Sequence, residues 1–436
     1  MQRFRSFVLI AAFAGGAMLA LFQLFQRAPA RARVKQQHGR TGHRAKRWTF
    51  RIAGFFALAA VAGSLVVISG IMPIKASSGH WVITAWFLNF AMRRSVVTHS
   101  LGTEVPALAD AGLVAKGGTH YDFGCRPCHG GPSIPQPAIA QRMTPAPPHL
   151  PRVISQWQTQ ELFYIVKHGV KFTGMPAWPS QQRDDEVWAM VAFLRELPQL
   201  TPQQYYELVR GTSDSGAAIN ELSGPNDRPQ AVSESCARCH GRDGTGRGLG
   251  VFPILAGQRP TYLFASLLAY ARGERLSGIM QPVAAGLSRE AMAELARYYA
   301  NFAGGLTDKS PNPKSKSENP KLLEAIDRGR EIAMHGIPGQ RLPACATCHG
   351  PSSTPRNPIY PQLAGQYAEY LALQLTLFQK ASRGGTPYAH IMAMVARRLT
   401  PQQIHDVTHY YASLTANTET AARVRSARDS SAMREP

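Results

Sequence analysis

The sequence predicts a mainly α-helical protein, with three tandem domains following an N-terminal transmembrane anchor. Three observations predict it. All six cysteines fall into three copies of one short pattern, whose first cysteines are 111 and 109 residues apart. That is a repeat of domain length, too long for a solenoid unit. From residue 106 onward apolar residues recur at helical spacing and strand-like alternation is nearly absent. Ahead of the first copy lie two apolar stretches, 6–25 and 52–74, each about long enough to cross a bilayer. A chain of 436 residues has room for about three domains.

The repeated pattern carries the chemistry. It reads Cys125-Arg126-Pro127-Cys128-His129, Cys236-Ala237-Arg238-Cys239-His240 and Cys345-Ala346-Thr347-Cys348-His349, each followed by glycine. In Cys-x-x-Cys-His two thiols can add across the two vinyl groups of one haem while the adjacent imidazole reaches the iron. A zinc ribbon needs a second Cys-x-x-Cys close by to complete four ligands, and none lies within about a hundred residues of any copy. A redox dithiol needs no histidine there and would not recur at domain intervals. Three covalently bound haem c groups are therefore expected, with no cysteine left for a disulfide. Each repeat of roughly 100 residues is small for a self-sufficient core, a deficit that a largely apolar macrocycle would fill.

The formal charge of +21 points to the membrane once it is located. Residues 1–51 hold 11 Lys/Arg and no acid, whereas the remaining 385 carry 37 basic and 27 acidic residues, a balance of +10. No basic patch with stacking aromatics is present, so nucleic acid is not an expected partner. The stretch 52–74 is 23 residues without a charge, enough to span about 30 Å of hydrocarbon. Nine Lys/Arg in 26–51 place that segment in the cytoplasm and everything after residue 74 outside. Two readings stand for 6–25: a first span, or a signal-like start. The aromatic segment 81–95 fits either the membrane interface or packing on the first domain.

Three helical segments close the repeats: 184–197, 288–302 and 400–414. Each opens on a capping-type Asp, Ser or Thr. Residues 305–319 form a polar Pro/Ser/Lys linker, 211–229 a weaker break, and 416–436 a disordered tail. The domains are then 106–210, 211–304 and 320–415, preceded by a basic segment 1–51 and an anchor with its junction, 52–105.

What faces each histidine decides the chemistry. Met280 follows His240 by 40 residues, Met392 follows His349 by 43, and Met175 follows His129 by 46. These are the expected sixth ligands. Met394 competes with Met392, and His168 with Met175, whereas Met143 and Met190 read as packing. "FPILAGQ" (252–258), "YPQLAGQ" (360–366) and the reduced "PPHL" (147–150) recur between the ligands. Proline lacks an N–H and leaves its carbonyl free, so Pro253, Pro361 and Pro148 are expected to accept the Nδ1–H of the iron-bound histidines and fix their tautomer. A catalytic role would need an open iron, and three methionines argue against it.

These residues carry a resemblance. All three repeats resemble class I cytochromes c. Residues 230–415, with paired Cys-x-x-Cys-His-Gly, paired P-x-L-A-G-Q and helices ending in Tyr-Tyr, are similar to dihaem c4-type cytochromes. Residues 48–205, with "CRPCHGG" and "TGMPAWP", look like a membrane-anchored monohaem cytochrome c. The third repeat departs by lacking the "DGTGRG" loop, and the second by lacking a clear helix before Cys236. The resemblance implies three class I cytochrome c domains working as a respiratory electron carrier outside the bacterial cytoplasmic membrane, delivering toward a terminal oxidase. Its implied partners are redox proteins: a terminal oxidase, a quinol–cytochrome c reductase or a dehydrogenase subunit. The alternative is the cytochrome subunit of a membrane-bound alcohol or sugar dehydrogenase complex that passes electrons to quinone.

Overall fold

The computed structural model describes residues 41–71, 74–211, 235–302, 319–350 and 356–414. The apolar stretch 6–25, most of the basic segment, the break at 212–229, the linker up to residue 318 and the tail 416–436 lie outside the described residues. The chain divides into two compact units, Met1–Lys75 and Ala76–Pro436.

In its described part the first unit is one helix, α1 (Thr41–Ile68). Its segment Trp48–Ile68 has a mean hydropathy of 2.1 and buries nothing within the structure. Phe50, Phe55, Phe56 and Leu65 all stand exposed, as a helix that faces hydrocarbon would present them. The apolar stretch expected to span 52–74 is thus helical only to Ile68, where a turn through Gly70 begins.

The second unit is mainly helical, with no strand among the described residues beyond two isolated bridges. After α2 (Val82–Ser100), its first bundle comprises α3 (Ala111–His120), α4 (Thr159–His168), α5 (Asp184–Glu196) and α6 (Pro202–Arg210). The middle bundle holds α7 (Pro260–Ala271), α8 (Met280–Ala285) and α9 (Arg289–Ala300). The third holds α10 (Pro320–His335), α11 (Ala368–Gln379), α12 (Ala389–Ala396) and α13 (Pro401–Ser413). Each bundle has an apolar cluster packed against one motif cysteine: Cys125, Cys236 and Cys345.

The second half of α2 packs on the first bundle. Arg93 donates to Gln156 at 3.2 Å and lies over the Trp157 ring at 4.9 Å, and His99 stacks on Tyr164. Its first half leaves Trp86 and Phe87 exposed.

Ser288 caps α9 by accepting from the Ala291 N–H, and Thr400 and Gln403 form a reciprocal capping box on α13. The expected aspartate cap on α5 is corrected. Arg183 occupies the N-cap position without a side-chain cap bond, and Asp184, Asp185 and Glu186 fill the first turn. There they suit the positive end of the helix dipole and are free for other partners. Arg183 holds Asp185 at 2.7 and 2.8 Å. Burial alone would raise the Asp185 pKa, but the Arg183 hydrogen bonds and the nearby Lys116 bring it down to about 2.

The opening and closing helices cross closely in the outer bundles. At Gly329 of α10 an added Cβ would lie 2.1 Å from the Asp406 carbonyl oxygen of α13; α3 meets α5 in the same way at Gly117. Backbone on both sides leaves no flexible atom to give way. Gly329→Ala is therefore expected to lower the unfolding midpoint of the third bundle, by about 1–3 kcal/mol of stability. Gly339→Ala, where nothing lies within 4 Å, should leave it unchanged. Equal midpoints for the two variants would contradict this account of the crossing.

Candidate functional site

Each motif ends on a helical turn: Arg126–His129, 235–240 and Ala346–His349. The next residue leaves the helix at positive φ, 71° at Gly130, 77° at Gly241 and 83° at Gly350, a conformation that favours glycine. None of the six cysteines is bonded to another. Among the described residues no group of three or more His, Cys, Asp or Glu side chains is placed to hold a metal ion.

The three histidines share one arrangement. His129 Nδ1 lies 2.9 Å from the Pro148 carbonyl oxygen, His240 Nδ1 3.2 Å from that of Pro253, and His349 Nδ1 3.0 Å from that of Pro361. A carbonyl can only accept, so Nδ1 carries the proton and Nε2 keeps its lone pair. Burial lowers the pKa of all three imidazoles, with the carbonyl acting in the opposite sense. The neutral form that can bind a metal is the one favoured.

One continuous cavity is lined by Cys236, Cys239, His240 and Met280 of the middle bundle and by Cys345, Cys348, His349 and Met392 of the third. Met392 packs beside Phe378 and Ala389. Met394, by contrast, is 52% exposed and does not line the cavity. Met175 sits in a loop fastened by its N–H to Thr173 Oγ1 at 3.1 Å, while Thr173 donates to the Val170 carbonyl at 2.7 Å. The Met143 methyl packs against Gly174, and Met190 is core in α5. His168 is exposed at the end of α4, beside the Tyr164 ring.

Two family models match the chain. That described as cytochrome c oxidase, cbb3-type, subunit III covers residues 112–194, and that described as cytochrome c covers 326–415. The chain is 32% identical over 200 residues to a thiosulfate dehydrogenase electron acceptor of Stutzerimonas stutzeri (strain A1501), covering 46% of this chain and 86% of that one. It is 32% identical over 204 residues to cytochrome c-552 of Acidithiobacillus ferridurans, with 46% and 81% covered. Over 186 residues it is 32% identical to cytochrome c4 of Pseudomonas aeruginosa, with 42% and 86% covered. The chain is a class I c-type cytochrome.

A c-type cytochrome transfers electrons through covalently bound haem, and the cavity suits such a group. Arg275 faces it and is 3% exposed, yet its hydrogen-bond partners Ser266, Tyr262, Tyr370 and Gln374 are all neutral. A buried cation without an anion calls for one, and haem brings carboxylates. Arg383 Nε is also buried without a partner. Burial raises the Tyr262 pKa, but Arg275 and Arg383 outweigh it and hold the phenol below its ordinary value.

Sequence reasoning missed three roles in this cytochrome. The glutamine ending each P-x-L-A-G-Q motif clamps the opposite motif. Gln258 donates to the Gln362 carbonyl and accepts from its N–H, at 2.9 and 2.8 Å. Gln366 does the same to Ile254, at 3.0 and 2.9 Å. The repeated glutamine was the available signal, and "PPHL" lacks it. Tyr121 and Tyr411 donate to the Gly130 and Gly350 carbonyls, each at 2.7 Å. Asp122, only 5% exposed, accepts from Arg126 and Arg238, one variable residue from each of the first two motifs.

Burial separates the two candidate methionines of the third bundle. Met392→Ala is expected to remove about a third of the Met–iron charge-transfer absorption and to lower one potential, while Met394→Ala leaves the spectrum intact. The reverse pattern would move the ligand by two residues.

Proposed function

We propose that this cytochrome is a membrane-anchored trihaem electron carrier of a respiratory chain, with domains 106–210, 211–304 and 320–415 on the periplasmic side. The observation that carries the reading is the threefold recurrence of a complete attachment motif whose histidine meets a proline carbonyl. Cys125, Cys128, Cys236, Cys239, Cys345 and Cys348 would hold haem covalently through their sulfurs. The bound iron supplies a reversible one-electron couple. His129, His240 and His349 would hold it through Nε2, and Met175, Met280 and Met392 would serve as further ligands that keep outside molecules away. Pro148, Pro253 and Pro361 keep each imidazole in the ligating tautomer. Arg275, which lines the cavity shared by the middle and third bundles, would offset the carboxylate charge of a bound haem.

The anchor rests on α1, whose apolar segment Trp48–Ile68 buries nothing within the structure, and on the nine Lys/Arg of 26–51. The match of residues 112–194 to an oxidase subunit model supports delivery toward a terminal oxidase. A second reading, a cytochrome subunit serving a dehydrogenase, draws support from relatives named thiosulfate dehydrogenase electron acceptors.

Acid–acetone extraction followed by mass spectrometry is expected to leave three haems on the chain. Carbon monoxide should bind the reduced protein slowly or not at all. Two retained haems would remove the trihaem reading. Fast stoichiometric carbon monoxide binding would reveal an open iron, and the carrier role would yield to a catalytic one.

A further inference from the structure

We infer that Glu186 is a positioning residue for a site outside its own domain: from the first bundle it sets the loop that carries Met280 in the middle one. The inference rests on the reading of Met280 as an axial ligand.

Glu186 lies in the first turn of α5 and is 2% exposed. Burying a carboxylate is unfavourable unless its lone pairs are filled, and here they are filled from two domains. Its Oε1 accepts from Arg183 at 3.0 Å and from the Ser277 hydroxyl at 2.6 Å. Its Oε2 accepts from the Trp178 indole N–H at 3.2 Å and from the Gly278 N–H at 2.6 Å. Two donors are thus its own domain's and two belong to the methionine loop of the next.

The chain of bonds continues to the ligand itself. Having given its proton to Glu186, the Ser277 hydroxyl can only accept further, and it does so from the Ile279 and Met280 N–H groups, at 3.3 and 2.9 Å. One hydroxyl separates the carboxylate from the Met280 backbone. Arg183 fixes the other end of the loop by donating to the Leu276 carbonyl at 2.6 Å, and Ile279 packs against the apolar core of the first bundle. Without the first domain, loop 276–280 would lose its anchors on both sides, and the second site its fixed methionine. Trp178 belongs to the segment just after Met175, so the methionine loops of the first two sites meet on this carboxylate.

The test compares the full-length holoprotein with Glu186→Gln, Ser277→Ala and, as reference, Met280→Ala, by spectrally resolved redox titration and backbone hydrogen exchange. Met280→Ala identifies which of the three potentials belongs to this site. Glu186→Gln is expected to lower that same potential, because a loosely held thioether stabilises ferrous iron less, and to speed exchange over 276–283. If Glu186→Gln does not accumulate with its haems, Ser277→Ala makes the same test with the carboxylate still paired to Arg183. Variants that leave both the potential and the exchange at wild-type values, while Met280→Ala shifts one potential, would overturn the positioning role alone. No shift in Met280→Ala would instead overturn the ligand assignment beneath it.

Discussion

The hydrogen bond between a motif histidine and a proline carbonyl is the constraint on which the rest of the structure depends. The motif turn and the proline loop are 12 to 19 residues apart in the chain, and this contact joins them in each repeat. It leaves one imidazole nitrogen for a metal and turns it away from the backbone. In the second and third repeats it also fixes the loop whose next residue, Ile254 or Gln362, is gripped by the glutamine of the other repeat. One local contact therefore sets both the tautomer of the imidazole and the surface on which the two bundles pair.

The two domain junctions are built differently. Between the middle and third bundles reciprocal glutamine amide-to-backbone pairs run in both directions, and Arg259, Arg275 and Arg383 add donors to neutral groups across the same boundary. Neutral amide pairs need no counter-charge, which suits a boundary that opens onto a cavity for an anionic cofactor. Between the first and middle bundles buried carboxylates carry charged contacts, beside Arg247 and Arg183 donating to groups across the boundary. Asp122 bridges Arg126 and Arg238, and Glu186 bridges Arg183 to the loop at 277–278. A buried carboxylate that lost half its donors would destabilise the separated bundles, so this junction favours the docked arrangement.

Much of the helical organisation was legible in the sequence because it rests on local signals. The three Cys-x-x-Cys-His motifs, the capping Ser288 and Thr400 and the apolar helix near the N-terminus need only short windows to be read. The Pro148, Pro253 and Pro361 contacts were legible because the motifs recur. Asp184 misled because an acidic first turn resembles a cap, whereas Arg183 and the neighbouring domain supply the partners of Asp185 and Glu186. Glu186 and Asp122 were invisible for a simple reason: their partners in the neighbouring bundle lie 92 and 116 residues away, and a charged residue on a helix reads as surface until its neighbours are known. Gly329 was equally silent, since a close helix crossing leaves no mark in a single sequence.

Diffraction at the iron absorption edge from crystals of the holoprotein tests the central claim most directly. The account predicts three anomalous peaks, each between the Nε2 of a histidine whose Nδ1 faces a proline carbonyl and the sulfur of a methionine, in the pairs His129 with Met175, His240 with Met280 and His349 with Met392. A missing peak, or an iron whose histidine has left its proline carbonyl, would contradict it.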